Sequence, residues 1–174
     1  NSGAYGILVS ENGTTAANNT TGSIMNTGDF GIYSVNGARA VNDGIISNGG
    51  SKGMAAHNNA NIINNGTISN RGTYGMYVSR NSTGVNNGTI ELTGNNLTGV
   101  YVGDRSTFTN NGIIKINGTS GVGIEAANYS TIKIAQNSKI ILDGNAAITQ
   151  GNTNYTAPNN NINSGGTAYR LDST

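Results

Sequence analysis

Apolar residues in this chain come in pairs two positions apart. Val100 and Val102, Ile114 and Ile116, Ile132 and Ile134, and Ile140 and Leu142 are examples. Alternation with period two, in short runs bounded by Gly and Asn, predicts strands rather than helices. The pairs belong to two motifs that recur at nearly the same step. One reads Asp43-Gly44-Ile45-Ile46, Asn65-Gly66-Thr67-Ile68, Asn87-Gly88-Thr89-Ile90 and Asn111-Gly112-Ile113-Ile114. It is preceded by Thr21-Gly22-Ser23-Ile24 and followed by Asn137-Ser138-Lys139-Ile140. The other reads Gly6-Ile7-Leu8-Val9, Gly31-Ile32-Tyr33-Ser34, Gly53-Met54-Ala55-Ala56, Gly75-Met76-Tyr77-Val78, Gly99-Val100-Tyr101-Val102 and Gly123-Ile124-Glu125-Ala126. Weaker copies stand at Ala147-Ile148-Thr149-Gln150 and Ala168-Tyr169-Arg170-Leu171.

A shared step of about 22 to 24 residues marks a solenoid, because each unit buries its apolar face only against its neighbours. Such a unit holds about three short strands and three turns, one coil of a parallel β-helix. Each coil adds about 4.8 Å, so roughly eight coils predict a rod about 40 Å long. The expected core is the inward stack Ile7, Ile32, Met54, Met76, Val100 and Ile124, together with Ile46, Ile68, Ile90, Ile114 and Ile140. The whole chain, 1–174, reads as one β-helical piece of a longer chain. Residues 144–166, with the single proline Pro158 and Asn159-Asn160-Asn161, read as an extruded loop or irregular coil.

Composition explains how so polar a chain can fold at all. It has 31 Asn and 27 Gly, 34% hydrophobic residues and 10% charged ones. Asn42, Asn64, Asn86 and Asn110 share one coil position, with Gln136 aligned to them, and predict a ladder of stacked amides. Asn65, Asn87, Asn111 and Asn137, with Asp43, predict a corner where Asn or Gly takes positive φ. The sequons Asn65-Gly66-Thr67, Asn87-Gly88-Thr89 and Asn117-Gly118-Thr119 fall out of the repeat and carry little functional weight.

Units of the form NNGTI…TGVYV, as in Asn86 to Val102 and Asn110 to Ala126, resemble the passenger repeats of type V autotransporters. The similarity is greatest to the large Asn-rich outer-membrane adhesins of fusobacteria and their relatives, over residues 1 to about 143. The resemblance implies a right-handed β-helix displayed at a bacterial cell surface or secreted. It implies adhesion to a host-cell or bacterial surface protein or glycan. It supplies no fixed binding residues.

The remaining chemistry is sparse. A net charge of +1, with nine basic and eight acidic residues scattered singly, argues against nucleic-acid binding. No apolar run reaches the length of a membrane span, so membrane insertion by this segment is not expected. No cysteine offers thiol or disulfide chemistry, and His57, the single histidine, reads as a solvated turn residue. No catalytic, metal or cofactor site is expected. Polysaccharide-active β-helices need clustered carboxylates; here the acids mostly occupy different columns. Arg80 and Asp104 share one and read as a surface ion pair.

One outward feature stands out. In the second motif, residues one and three places after the glycine are read as inward, and those one before and two after it as outward. Tyr5, Phe30, Tyr33, Tyr74, Tyr77 and Tyr101, six of the ten aromatic residues, fall in those two outward columns. They are the candidate partner-binding residues. The competing expectations are a polysaccharide lyase or hydrolase, and a spacer whose tyrosines only stack on each other.

Overall fold

The computed structural model describes residues 2–48, 50–143, 154–156, 162–164 and 167–171. They form a right-handed parallel β-helix, with three strands per coil and no helix. As far as Lys139–Asp143, strands three apart in sequence lie side by side, and the described residues form three parallel sheets of seven strands each. The first sheet runs from Tyr5–Ser10 through Phe30–Val35, Lys52–His57, Tyr74–Val78, Thr98–Val102 and Val122–Ala126 to Thr167–Leu171. The second runs from Thr15–Asn18 to Asn154–Thr156, the third from Ser23–Asn26 to Ile162–Ser164. Seven stacked strands, rather than the eight coils expected, span about 30 Å at the inter-strand spacing.

Register follows the two sequence motifs. Tyr77 pairs with Ala55 on one side and Tyr101 on the other, and Ile90 pairs with Ile68 and Ile114. The predicted core is buried throughout, with Ile7 only partly covered. A further stack from the second sheet closes it: Ala40, Ile62, Phe108 and Ile132 are all buried, with Gly84 in the same column. Phe108 fills the space that Gly84 leaves, since a Cβ on Gly84 would come within 3.1 Å of the phenyl ring.

The amide ladder is present and starts one coil earlier than expected, at Asn18. Asn18 donates to Asn42, Asn42 to Asn64, Asn64 to Asn86 and Asn86 to Asn110, each Nδ2 to Oδ1 at 2.8 Å. Gln136 is not its next member. Asn110 pairs with Ile134, and the turn after Ile134 is two residues longer than the turn after Asn110. Asp43, Asn65, Asn87 and Asn111 form a second, outer ladder, in which each Nδ2 donates to the residue one coil below at 2.7 Å. The two columns therefore run in opposite hydrogen-bond directions.

The corner glycines work differently from expectation. None of Gly44, Gly66, Gly88 and Gly112 has positive φ, nor do the Asn and Asp beside them. A Cβ on Gly66 would instead collide with the carbonyl oxygen of Gly44 one coil below, and Gly88 and Gly112 repeat the contact. Close stacking of the turns, not left-handed backbone, demands glycine there. Left-handed non-glycine residues cluster at the corner after the first sheet: Asn36, Asn58 and Asn59, Arg80 and Asn81, Asp104 and Arg105, Asn128 and Tyr129.

Within residues 144–166, the strands Asn154–Thr156 and Ile162–Ser164 extend the second and third sheets. The remainder of that stretch, including Ala147 to Gln150, lies outside the described residues. Thr167–Leu171 pairs directly with Val122–Ala126, so Arg170 follows Glu125 in its column.

Candidate functional site

The outward face of the first sheet carries the aromatic residues as one stripe. Each glycine of the second motif bends the strand there. A Cβ on Gly75 would point inward at the Ile90 side chain and lie 2.6 Å from the Gly99 carbonyl. Met76 and Val78 are also buried, leaving Tyr74 and Tyr77 half-exposed on the same outer side. Buried amides fix the bend from behind. Asn26 Nδ2 donates to the Phe30 carbonyl and Asn70 Nδ2 to the Tyr74 carbonyl, both at 2.7 Å.

All six predicted residues come together. Tyr5 stacks on Phe30 and Tyr33 at 5.4 and 5.6 Å between ring centres, and Phe30 stacks on Tyr33 at 4.7 Å. Higher up, Tyr77 stacks on Tyr101 at 4.6 Å, with Tyr74 edge-on to both at 5.2 and 6.0 Å. Offset and edge-on pairs of this kind are worth about 0.5–1.5 kcal/mol each beyond burial. Burial, and then the neighbouring Tyr77, push the Tyr101 hydroxyl up to about 12.

Two members were not expected. Ala55 interrupts the outward column between Tyr33 and Tyr77, and its methyl is fully covered. Lys52 and His57 reach over the gap from either end of the same strand. Lys52 Nζ lies 4.8 Å from the centre of the Phe30 ring, 5.3 Å from Tyr77 and 5.8 Å from Tyr74. His57 sits between Tyr33, at 5.3 Å and edge-on, and Tyr77, at 5.4 Å. It is therefore a half-buried strand residue and not the solvated turn histidine that its polar surroundings predicted. Its Nδ1 shares a 3.3 Å hydrogen bond with the Tyr33 hydroxyl. The usable signal in the sequence was the alanine itself, since a small residue in an aromatic column must be covered from adjacent columns.

Two of the acidic residues join contacts between coils. Glu91 pairs with Lys115 at 3.0 Å and accepts from Asn117, which holds its carboxyl below the usual range. Asp104 accepts from Asn128 at 2.8 Å. It forms no ion pair with Arg80, contrary to expectation, although the two share a column and both have left-handed backbone. Among the described residues no group of three or more His, Asp or Glu could hold a metal ion. At the corner beside His57, Asn12, Asn36, Gly37, Asn58, Asn59 and Asn61 line an open depression of about 520 Å³. Asn58 donates to Asn36 there at 3.1 Å.

The arrangement offers a narrow face of ring edges, hydroxyls and one lysine, mounted on a rigid sheet. Comparison of the chain with family models, with curated proteins and with solved structures gave no match.

Proposed function

We propose that this chain is a non-enzymatic segment of a bacterial surface passenger, a β-helical rod whose aromatic stripe contacts a host-cell or bacterial surface protein or glycan. The observation that carries this reading is the convergence of Tyr5, Phe30, Tyr33, Tyr74, Tyr77 and Tyr101, with Lys52 and His57, on one outward face. Tyrosines supply large contact area at small entropic cost and keep a polar edge for a partner. The resemblance of the repeats to autotransporter passengers supports the location and the adhesive role.

The test is capture of bacterial and epithelial cells on a surface coated with the chain. Tyr77→Ala with Tyr101→Ala lowers capture several-fold while the β-sheet circular dichroism stays unchanged. Capture unaltered in the folded double variant refutes the stripe as the contact face.

A spacer role is the second reading, and one observation favours it. The parallel pairs Tyr5–Tyr33 and Tyr77–Tyr101 cover each other's ring faces, as a purely structural stack would. Removing Asn64 to Val85, one 22-residue period, tests this. A spacer loses only length, whereas an adhesive stripe loses Tyr74 and Tyr77 and with them its capture.

A further inference from the structure

Lys52 and His57 both span the middle of the stripe, and of the two only His57 supplies a ring there. On the outward column Tyr33, Ala55, Tyr77, Tyr101, the alanine leaves a gap one coil wide. The imidazole spans that gap, touching Tyr33 below and Tyr77 above. Its hydrogen bonding is half complete. Nδ1 meets the Tyr33 hydroxyl at 3.3 Å, while Nε2 is sealed from solvent without a hydrogen-bond partner. A neutral imidazole tolerates this when the bare nitrogen is the acceptor, because it carries only a lone pair. An imidazolium does not, since both nitrogens then carry protons and need acceptors.

We propose that His57 is an acid-sensitive plug: protonation drives its ring out from between Tyr33 and Tyr77, splits the stripe over Ala55, and releases a partner held at neutral pH. Release rests on the stripe being the contact face; the plug itself does not.

Of the charged groups facing the imidazole, two oppose its protonation and one favours it. Lys52, on its own strand, and Arg80, on the corner after Tyr74–Val78, both oppose a positive charge there. Tyr33 and Tyr77 flank it with uncharged rings. Asp104, on the corner after Thr98–Val102, alone favours the charge, and its carboxylate already accepts from Asn128. Burial, then Arg80 and Lys52, hold the imidazole below the ordinary histidine value of 6.5. The plug is therefore neutral and seated at neutral pH, and leaves only below the ordinary histidine range.

Because the chain has one histidine, its proton NMR titration reports this site without ambiguity. The expected result is a midpoint below 6.5 with the Tyr33 and Tyr77 ring signals moving at the same midpoint. In His57→Phe, a ring that cannot protonate, those tyrosine signals stay fixed over that range. Cell capture by the wild-type chain falls several-fold across the same midpoint, and capture by His57→Phe does not. Tyrosine signals that ignore the histidine titration, or a midpoint at or above 6.5, overturn the plug. Acid loss of capture shared equally by His57→Phe overturns it as the cause of release. Coupled tyrosine signals with capture unchanged in both proteins uphold the plug and overturn the contact-face reading instead. His57→Gln, checked for folding by circular dichroism, serves as a second variant. It abolishes the coupled tyrosine shift whether or not the phenylalanine ring is accommodated.

Discussion

At the scale of single residues, the same amide is worth different amounts in the two ladders. Asn64 is fully buried, donates to Asn86 and accepts from Asn42. Asn64→Ala leaves both partners short of a hydrogen bond in a water-free column. With about 1–3 kcal/mol for each orphaned group, a loss on the order of 3 kcal/mol is expected in urea unfolding. The outer ladder is exposed and directional, each amide donating to the coil below. Asp43 stands at its base, where a side chain need only accept, so Asp43→Asn is expected to be neutral. Asn87→Asp removes the donor to Asn65 and sets two acceptors against each other. It should cost up to about 1 kcal/mol, and an equal effect of the two substitutions in thermal unfolding would refute the ladder's direction. His57 adds a pH dependence with a definite sign. Its folded pKa is depressed, so its contribution is complete above the unfolded value of 6.5 and is lost as pH falls through the folded value. Stability measured by denaturant should decline over that interval in the wild type, and decline less in His57→Phe.

At the scale of the strand and its corner, the sequence was readable wherever the coil kept its length. The three sheets, the inward columns and the column of Tyr33, Tyr77 and Tyr101 follow from alternation and a fixed step, whereas Phe30 and Tyr74 lie outward because alternation breaks at the glycine that follows each of them. Readability failed where corners change length. The turn from Asn18 to Ser23 is two residues longer than that from Asn42 to Ile45, which hid Asn18 from the ladder. The turn after Ile134 has the same insertion, which made Gln136 look aligned. The corner glycines misled for a different reason. Asn-Gly is compatible with positive φ, but the packing of one turn on the next, which no local pattern encodes, is what forbids a side chain. Gly88→Ala tests this. Its Cβ would strike the Gly66 carbonyl oxygen, so the turns must part, at a cost on the order of 1–3 kcal/mol in thermal or chemical unfolding. Gly13→Ala, where positive φ is present but the surrounding space is open, should cost less.

At the scale of the molecule, the repeat divides labour between columns. The ladder column holds Asn from coil to coil, and the inward columns stay mostly apolar although the one from the second sheet varies in size from Gly84 to Phe108. The outward columns of the first sheet vary, from Tyr to Ala to Glu, and are free to serve a partner. Six of the site's residues could be read from their register, whereas Lys52 and His57 joined it only through side-chain reach across the Ala55 gap. The central claim is that fold and contact are carried by different columns, and a crossed comparison tests it most directly. Urea unfolding would be measured for Tyr77→Ala with Tyr101→Ala and for Asn64→Ala, and cell capture for both in urea-free buffer at a temperature where both remain folded. The account predicts capture lost in the tyrosine variant and kept in the asparagine variant, with the larger loss of stability in the latter. Capture that follows stability in both, irrespective of the column changed, would contradict it.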